Sequence, residues 1–197
     1  NPVFGMYMPD AIAAYEAGGQ AFYVMANEGD DRDDFLDPEE TIRLGNNGYD
    51  LDDTIFPNEA ALKSNAVLGR LNVSNAPGLR GDLDGDGDID QIIAYGGRSF
   101  SIRDASGALV FDSADLMERV VSTQYPALFD DTRSDNKASE PEGVTVGEID
   151  GRVYAFVGLE RAGMSMIFDV TDPLAVTYTG VAQNPGDRNP EGTLFIS

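Results

Sequence analysis

The chain has 197 residues, 42% of them hydrophobic, enough for one or two globular domains with cores of ordinary size. Thirty-five acidic residues stand against 13 basic ones, a formal net charge of -22, so nucleic acid and anionic membrane are poor partners, while metal cations or a screening high-salt medium suit the surface. Histidine and cysteine are both absent, which removes the usual zinc ligands, the Ser-His-Asp triad and thiolate chemistry, and leaves carboxylates, Arg, Lys, Tyr, hydroxyls or a hard metal to carry any reaction.

No stretch approaches the roughly 20 apolar residues that span a membrane, so direct insertion is not expected. The chain starts at Asn1 without Met, which reads as a removed leader, a piece of a longer protein, or both. The first expected strand runs over 21–29, entered by the turn at 17–20. Acidic, turn-rich sequence follows from Asp30 to Asp53, and a short helix is expected over 58–63. A second strand is expected over 89–97, then an alternating strand over 98–104, a hairpin turn at 105–108 and a return over 109–112. Ser113 looks like the cap of a helix over 113–121 that stops before Pro126. A further acidic loop spans 130–142, long enough to suggest function. The third unit repeats the pattern over 152–160 and 164–170, with a turn at 171–173 and a strand over 175–179.

The three central runs, over 21–29, 89–97 and 152–160, share a turn, a β-branched and aromatic stretch and a Gly or Glu exit, and read as strands buried on both faces. Repeated small antiparallel sheets point to β-propeller blades; an ordinary β-sandwich is the alternative. The fold class expected is all-β: a β-propeller segment of about three to four blades, with short helical insertions on the rim at about 30–70 and 113–140 of one domain over 1–197. A last strand begins at Glu191. A propeller needs at least about four blades to close, so the remainder of a larger propeller, or another chain, is expected to complete it.

The clearest site is the loop over 82–90, where Asp82, Asp84, Asp86, Asp88 and Asp90 fall within nine residues in the pattern D-x-D-x-D-G-x-x-D. Carboxylates at alternate positions of a tight loop converge, Gly87 permits the sharp turn, and the Asp88 carbonyl can add a backbone ligand. Hard oxygen ligands at that density select Ca²⁺. The twelfth position, a bidentate Glu in an EF-hand, is Ile93 here, so the loop is not an EF-hand and is similar instead to the calcium loops between propeller strands. Its role reads as structural, since five unneutralised acids would repel. The bland alternative is a solvated acidic turn.

Glu28, Glu142 and Glu191 each precede a Gly, and Glu160 follows the third central strand. Equivalent positions of successive blades gather around a propeller channel, so these four could converge with Arg32, Arg133 and Arg161 and hold a second metal and a phosphate. Equally, they could accept hydrogen bonds between blades, as repeats do. Tyr7, Tyr23, Tyr95 and Phe156 read as core, and Asn72-Val73-Ser74 matches the short N-glycosylation pattern.

The segments Tyr7-Met8-Pro9-Asp10-Ala11-Ile12, Ala26-Asn27-Glu28-Gly29-Asp30, Gly96-Gly97-Arg98-Ser99-Phe100, Thr132-Arg133-Ser134-Asp135, Glu140-Pro141-Glu142-Gly143 and Gly158-Leu159-Glu160-Arg161 together resemble the choice-of-anchor I family. Members are secreted or surface-anchored bacterial β-propeller proteins, some described as alkaline phosphatase-like or mesenchyme-specific cell surface glycoprotein-like. The resemblance implies a propeller, export to an extracellular or cell-surface location, and metal dependence.

Two functions follow. One is a secreted or cell-surface calcium-binding module with a structural role that engages a surface polymer or protein partner. The other is a calcium-dependent phosphoesterase acting on a phosphate ester, with Glu28, Arg32, Arg133, Glu142, Glu160, Arg161 and Glu191 as candidate catalytic residues. A secreted filament or matrix subunit ranks third.

Overall fold

A computed structural model describes residues 3–31, 39–184, 186 and 189–196. In chain order the elements are β1 (Val3–Gly5), β2 (Ala11–Ala17), β3 (Gln20–Asn27), β4 (Thr41–Arg43), α1 (Glu59–Leu62), β5 (Asn72–Ser74), β6 (Ile92–Ala94), β7 (Ser99–Asp104), β8 (Leu109–Asp112), α2 (Leu116–Gln124), a 3-10 turn (Asp131–Arg133), β9 (Pro141–Ile149), β10 (Arg152–Leu159), β11 (Met164–Asp169) and β12 (Thr177–Ala182). The chain is mainly β, as its composition of short β-branched and aromatic runs requires.

The strands form three four-stranded sheets, in the orders β2-β3-β7-β8, β9-β10-β11-β12 and β1-β6-β5-β4. The first two are antiparallel throughout. Alternation fixes their register: Phe22, Val24 and Ala26 of β3 face inward, as do Ala155, Val157 and Leu159 of β10. These side chains meet Phe100, Ile102, Met166, Phe168 and, from α2, Met117, Val120 and Val121 in one core shared by the two sheets. Phe100 and Phe168 lie with ring centres 4.4 Å apart at its middle. The remaining sheet, which includes the parallel pair β1–β6, lies over its own core of Leu44, Tyr49, Leu51, Phe56, Leu62, Val73, Ile89 and Ile92.

Four expectations change. The strand near 89–97 does not start a unit with β7 and β8. Its hydrogen-bonded part, β6, pairs with β1 and β5, whereas β7 pairs with β3, whose partnered residues lie 72 to 82 positions earlier in the chain. The reason lies at Gly29 and Gly96: a Cβ on Gly29 would stand 2.0 Å from the Gly96 Cα, so two glycines let the exits of β3 and β6 cross and hand the chain back to β3. The central strands are not buried on both faces either; β3 alternates buried with half-buried positions until Asn27. Ser113 does not cap α2, because its Oγ accepts from the Phe100 amide at 2.9 Å, and the helix starts at Leu116 with no side-chain cap. Finally, residues 191–196 belong to no sheet. Phe195 packs on Phe156 and over Gly147, while Leu194 and Ile196 point to solvent.

Of the aromatic residues expected in the core, Tyr95 is buried and donates to the Glu40 carbonyl at 2.6 Å; Tyr7, Tyr23 and Phe156 are half-buried. Ser74 of the glycosylation triplet is fully buried in β5.

Candidate metal centres

The acidic loop is built by local geometry. The Gly81 carbonyl accepts from the amides of Asp90 and Gln91, both at 3.0 Å, which closes the loop at its neck. Gly85 and Gly87 take positive φ values, so the chain coils tightly between the acids. Each early carboxylate then caps a backbone amide just ahead of it: Asp82 accepts from Gly85 at 2.7 Å and Gly87 at 3.1 Å, Asp84 from Asp86 at 3.2 Å, and Asp86 from Asp88 at 3.2 Å. Asp90 reaches back to the Leu83 amide at 2.6 Å. Ile89 is fully buried and anchors the loop to the smaller core.

One carboxylate oxygen from each of Asp82, Asp84 and Asp90 lies within 4.8 Å of the other two. Oxygens on opposite sides of one calcium ion stand about 5 Å apart, so this trio matches the span of a single hard cation. Asp86 and Asp88 lie outside the trio. Asp88 is nonetheless pushed up to about 6 by desolvation, a shared hydrogen bond with Asp86 and the charges of Asp86, Asp52 and Asp90. The amide of Asp86 pulls the Asp84 carboxyl down, but the charge of Asp86, desolvation and the charge of Asp90 together raise the group. The loop thus carries more negative charge than its own donors neutralise.

The second cluster comes from three separate elements. Glu28 leaves the end of β3, Glu142 stands in β9, and Glu160 follows β10; one oxygen of each lies within 4.8 Å of the others. The packing of β2 and β3 against β9 brings these strand ends together. Glu191 stays outside the trio, although its charge acts on Glu142. Arg32 lies outside the described residues.

Arg133 and Arg161 are present but engaged. Both grip Glu140, which is fully buried: Arg133 donates through Nε at 3.0 Å and again through Nη2 to Oε1, and Arg161 donates through Nε to Oε2 at 2.8 Å. Arg161 Nη1 also pairs with Glu160 at 2.9 Å. Lys137 spans Glu28 at 3.1 Å and Asp30 at 2.6 Å. Sequence reasoning missed Glu140, Lys137 and Asp10, the last a charge that acts on Glu142. The one available signal for Lys137 was its rarity, since the chain has two lysines.

Burial sets the electrostatics of this cluster. It raises Glu160 to about 8, helped by hydrogen bonds to Glu140 and Glu142. It raises Glu28 despite Lys137, and raises Glu142 together with the charges of Asp10, Glu191 and Glu140. Glu140 is the exception: burial opposes its ionisation, but bonds from Glu160 and Arg133 and the charges of Arg133 and Lys137 hold it low. Its loop is held from several sides. Arg98 donates to the Ser134 carbonyl at 2.8 Å and to that of Asn136, Glu118 accepts from the Ser139 amide at 3.0 Å, and Ala138 and Glu140 are held at positive φ. Beside the trio, Glu160 and Arg161 line a cavity of about 390 Å³ with Leu128, Phe129, Asp130 and Asn189. Three carboxylate oxygens at this spacing are a donor set for a hard dication, and they fit one with open positions left over.

The chain is similar to two curated proteins. It is 36% identical over 123 residues to Gigasin-3a of Magallana gigas, covering 55% of this chain and 42% of that protein. It is 25% identical over 104 residues to the mesenchyme-specific cell surface glycoprotein of Strongylocentrotus purpuratus, covering 42% of this chain and 13% of that one. The chain therefore spans less than half the length of either relative. No solved structure matches it. The model of the choice-of-anchor I domain matches residues 1–173, and the chain belongs to that family.

Proposed function

We propose that this chain is a secreted or cell-surface calcium-binding module, part of a β-propeller, whose role is structural and adhesive rather than catalytic. The observation that carries the reading is the convergence of Asp82, Asp84 and Asp90 on a point within 4.8 Å, on a loop whose own hydrogen bonds leave the charges uncancelled. The propeller part is supported by two antiparallel four-stranded sheets that share a core, with their first strands β2 and β9 against each other. The surface location is supported by family membership and by the sea-urchin relative's description as a cell surface glycoprotein. Calorimetric titration with calcium tests it: the chain takes up calcium and Asp84→Asn loses the site, whereas identical isotherms remove the reading.

A calcium-dependent phosphoesterase is the second reading, and the Glu28, Glu142, Glu160 trio beside a cavity favours it. It ranks second because Arg133 and Arg161, the groups that would clamp a phosphoryl oxygen, are committed to Glu140. Hydrolysis of a generic phosphate ester, with calcium or chelator and with Glu142→Gln, separates the two. Turnover that needs both calcium and Glu142 would make the chain an enzyme.

A further inference from the structure

The chain carries a cationic cleft that shares no residue with either acid trio, and its chemistry is opposite to theirs. Arg43 ends β4, and Arg70 lies just before β5; both donate to one oxygen of Asp135, at 3.0 Å and 2.7 Å. Two guanidinium charges thus face one carboxylate. Their side chains remain 50% and 57% exposed, while Asp135 is only 15% exposed. The acid pins both arginines from below and leaves their outer edges free. Arg43 spends Nη1 on Asp135 and on the Arg70 carbonyl, and Arg70 spends Nε and Nη2 on Asp135. Among the described residues, the other guanidinium donors have no partner.

Those donors border an open cleft of about 450 Å³ lined by Arg43, Gly45, Asn46, Asn65, Gly69 and Arg70. Three other clefts have carboxylates in their walls: Asp130 and Glu160 in one, Asp104 and Asp172 in another, and Asp131 and Asp135 in a third that adjoins this one through Asn65 and Arg70. This one has none. Asn46 is oriented as a donor, because its Oδ1 already accepts from the Gly48 amide at 2.9 Å and its amide nitrogen is left over. Asn65 is exposed and makes no bond to the described residues. No apolar or aromatic side chain is among the residues that line this cleft; Val67, Leu68 and Leu71 belong to the adjoining one. A ligand that is polar on every side suits such a cleft.

We propose that this cleft binds an acidic saccharide, a sulfate or carboxylate group on a polyhydroxylated ring. Arg43 and Arg70 take the anion through charge-assisted hydrogen bonds, and Asn46 and Asn65 take neighbouring hydroxyls. The same two arginines that brace the 131–140 loop through Asp135 supply the recognition. The inference is independent of the calcium and phosphoesterase readings, because it uses none of their residues.

The test is calorimetric titration of the whole chain, in calcium-containing buffer, with a monosulfated disaccharide, a uronate disaccharide, a neutral disaccharide and sodium sulfate. At least one acidic disaccharide binds about tenfold or more tightly than the neutral one and than free sulfate, and the tighter of the two identifies the anion. Arg43→Gln and Arg70→Gln each weaken that binding about tenfold or more. Because those variants also loosen Asp135, Asn65→Asp serves as a second probe: it sets a carboxylate into the cleft at an exposed position that braces nothing, and it abolishes binding with the melting temperature unchanged. Equal binding of acidic and neutral disaccharides, or wild-type binding by Asn65→Asp, overturns the proposal. Free sulfate binding as tightly as the sulfated sugar overturns the saccharide assignment.

Discussion

Replacing Glu140 with Gln isolates the best-buried charge among the described residues. Its carboxylate accepts from Arg133 on one oxygen and from Arg161 on the other. Glutamine keeps one oxygen and turns its NH₂ toward the second guanidinium, donor against donor. At least one charge-assisted hydrogen bond is lost, about 1.5–3 kcal/mol, and the buried charge that held the second arginine disappears with it. The arginine side chains are 30% and 31% exposed, so water recovers part of their donors and limits the total to about 2–3 kcal/mol. For a chain of this size that lowers Tm by about 5–10 °C. Thermal melts in chelator measure it without contributions from bound cation, and Glu142→Gln provides the contrast. Glu142 is raised by burial and by surrounding negative charge, so removing its charge leaves the apo chain as stable as before or more so. An unchanged Tm for Glu140→Gln, or a larger loss for Glu142→Gln, would refute the assignment of Glu140 as the anchor and Glu142 as the strained acid.

Further outcomes follow from packing and titration. Phe168→Ala removes a fully buried ring between Phe100 and Tyr178 and costs about 3–5 kcal/mol, read as a lower urea midpoint with an unchanged slope. Gly29→Ala places a Cβ against the Gly96 backbone at positive φ and destabilises the junction of β3 with β6, whereas Gly107→Ala, at a similar φ with open space around it, costs less. Asp169 is 6% exposed; burial opposes its ionisation, but bonds from Thr171 and the charge of Arg152 hold its pKa low. Its contribution to stability is therefore present above the ordinary aspartate range and lost as pH falls through its depressed value. Acid unfolding followed by circular dichroism should move less steeply in Asp169→Asn.

The convergence of the acidic loop was legible because everything that shapes it is local: alternate acids, the glycines between them, and amides two to five residues ahead. The all-β character and the hairpin of β7 with β8 were legible for the same reason, since period-two patterning and the turn near Gly107 act within a few residues. The partner of β3 was not. Its paired positions in β7 lie 72 to 82 residues away, and nothing in the local pattern says that the chain returns after a third sheet. The glutamate trio lay between these cases. The recurring Glu-Gly exits pointed to Glu28 and Glu142, and Glu160 stood at a matching strand end. Glu140 escaped notice because its importance lies in two arginines, one seven and one twenty-one residues away, that reach it only in the folded chain. Those arginines, Arg133 and Arg161, which the sequence offers as phosphate clamps, are engaged with a buried carboxylate.

The proposed calcium site is tested most directly by the melting temperature with calcium and with chelator, for the native chain and for Asp84→Asn. Calcium at about one hundred times its dissociation constant adds about 2.7 kcal/mol, or about 5–10 °C for a chain of this size. That shift is expected in the native chain, and most of it is lost in Asp84→Asn. A melting temperature indifferent to calcium, or a full shift retained without Asp84, would contradict the proposed site.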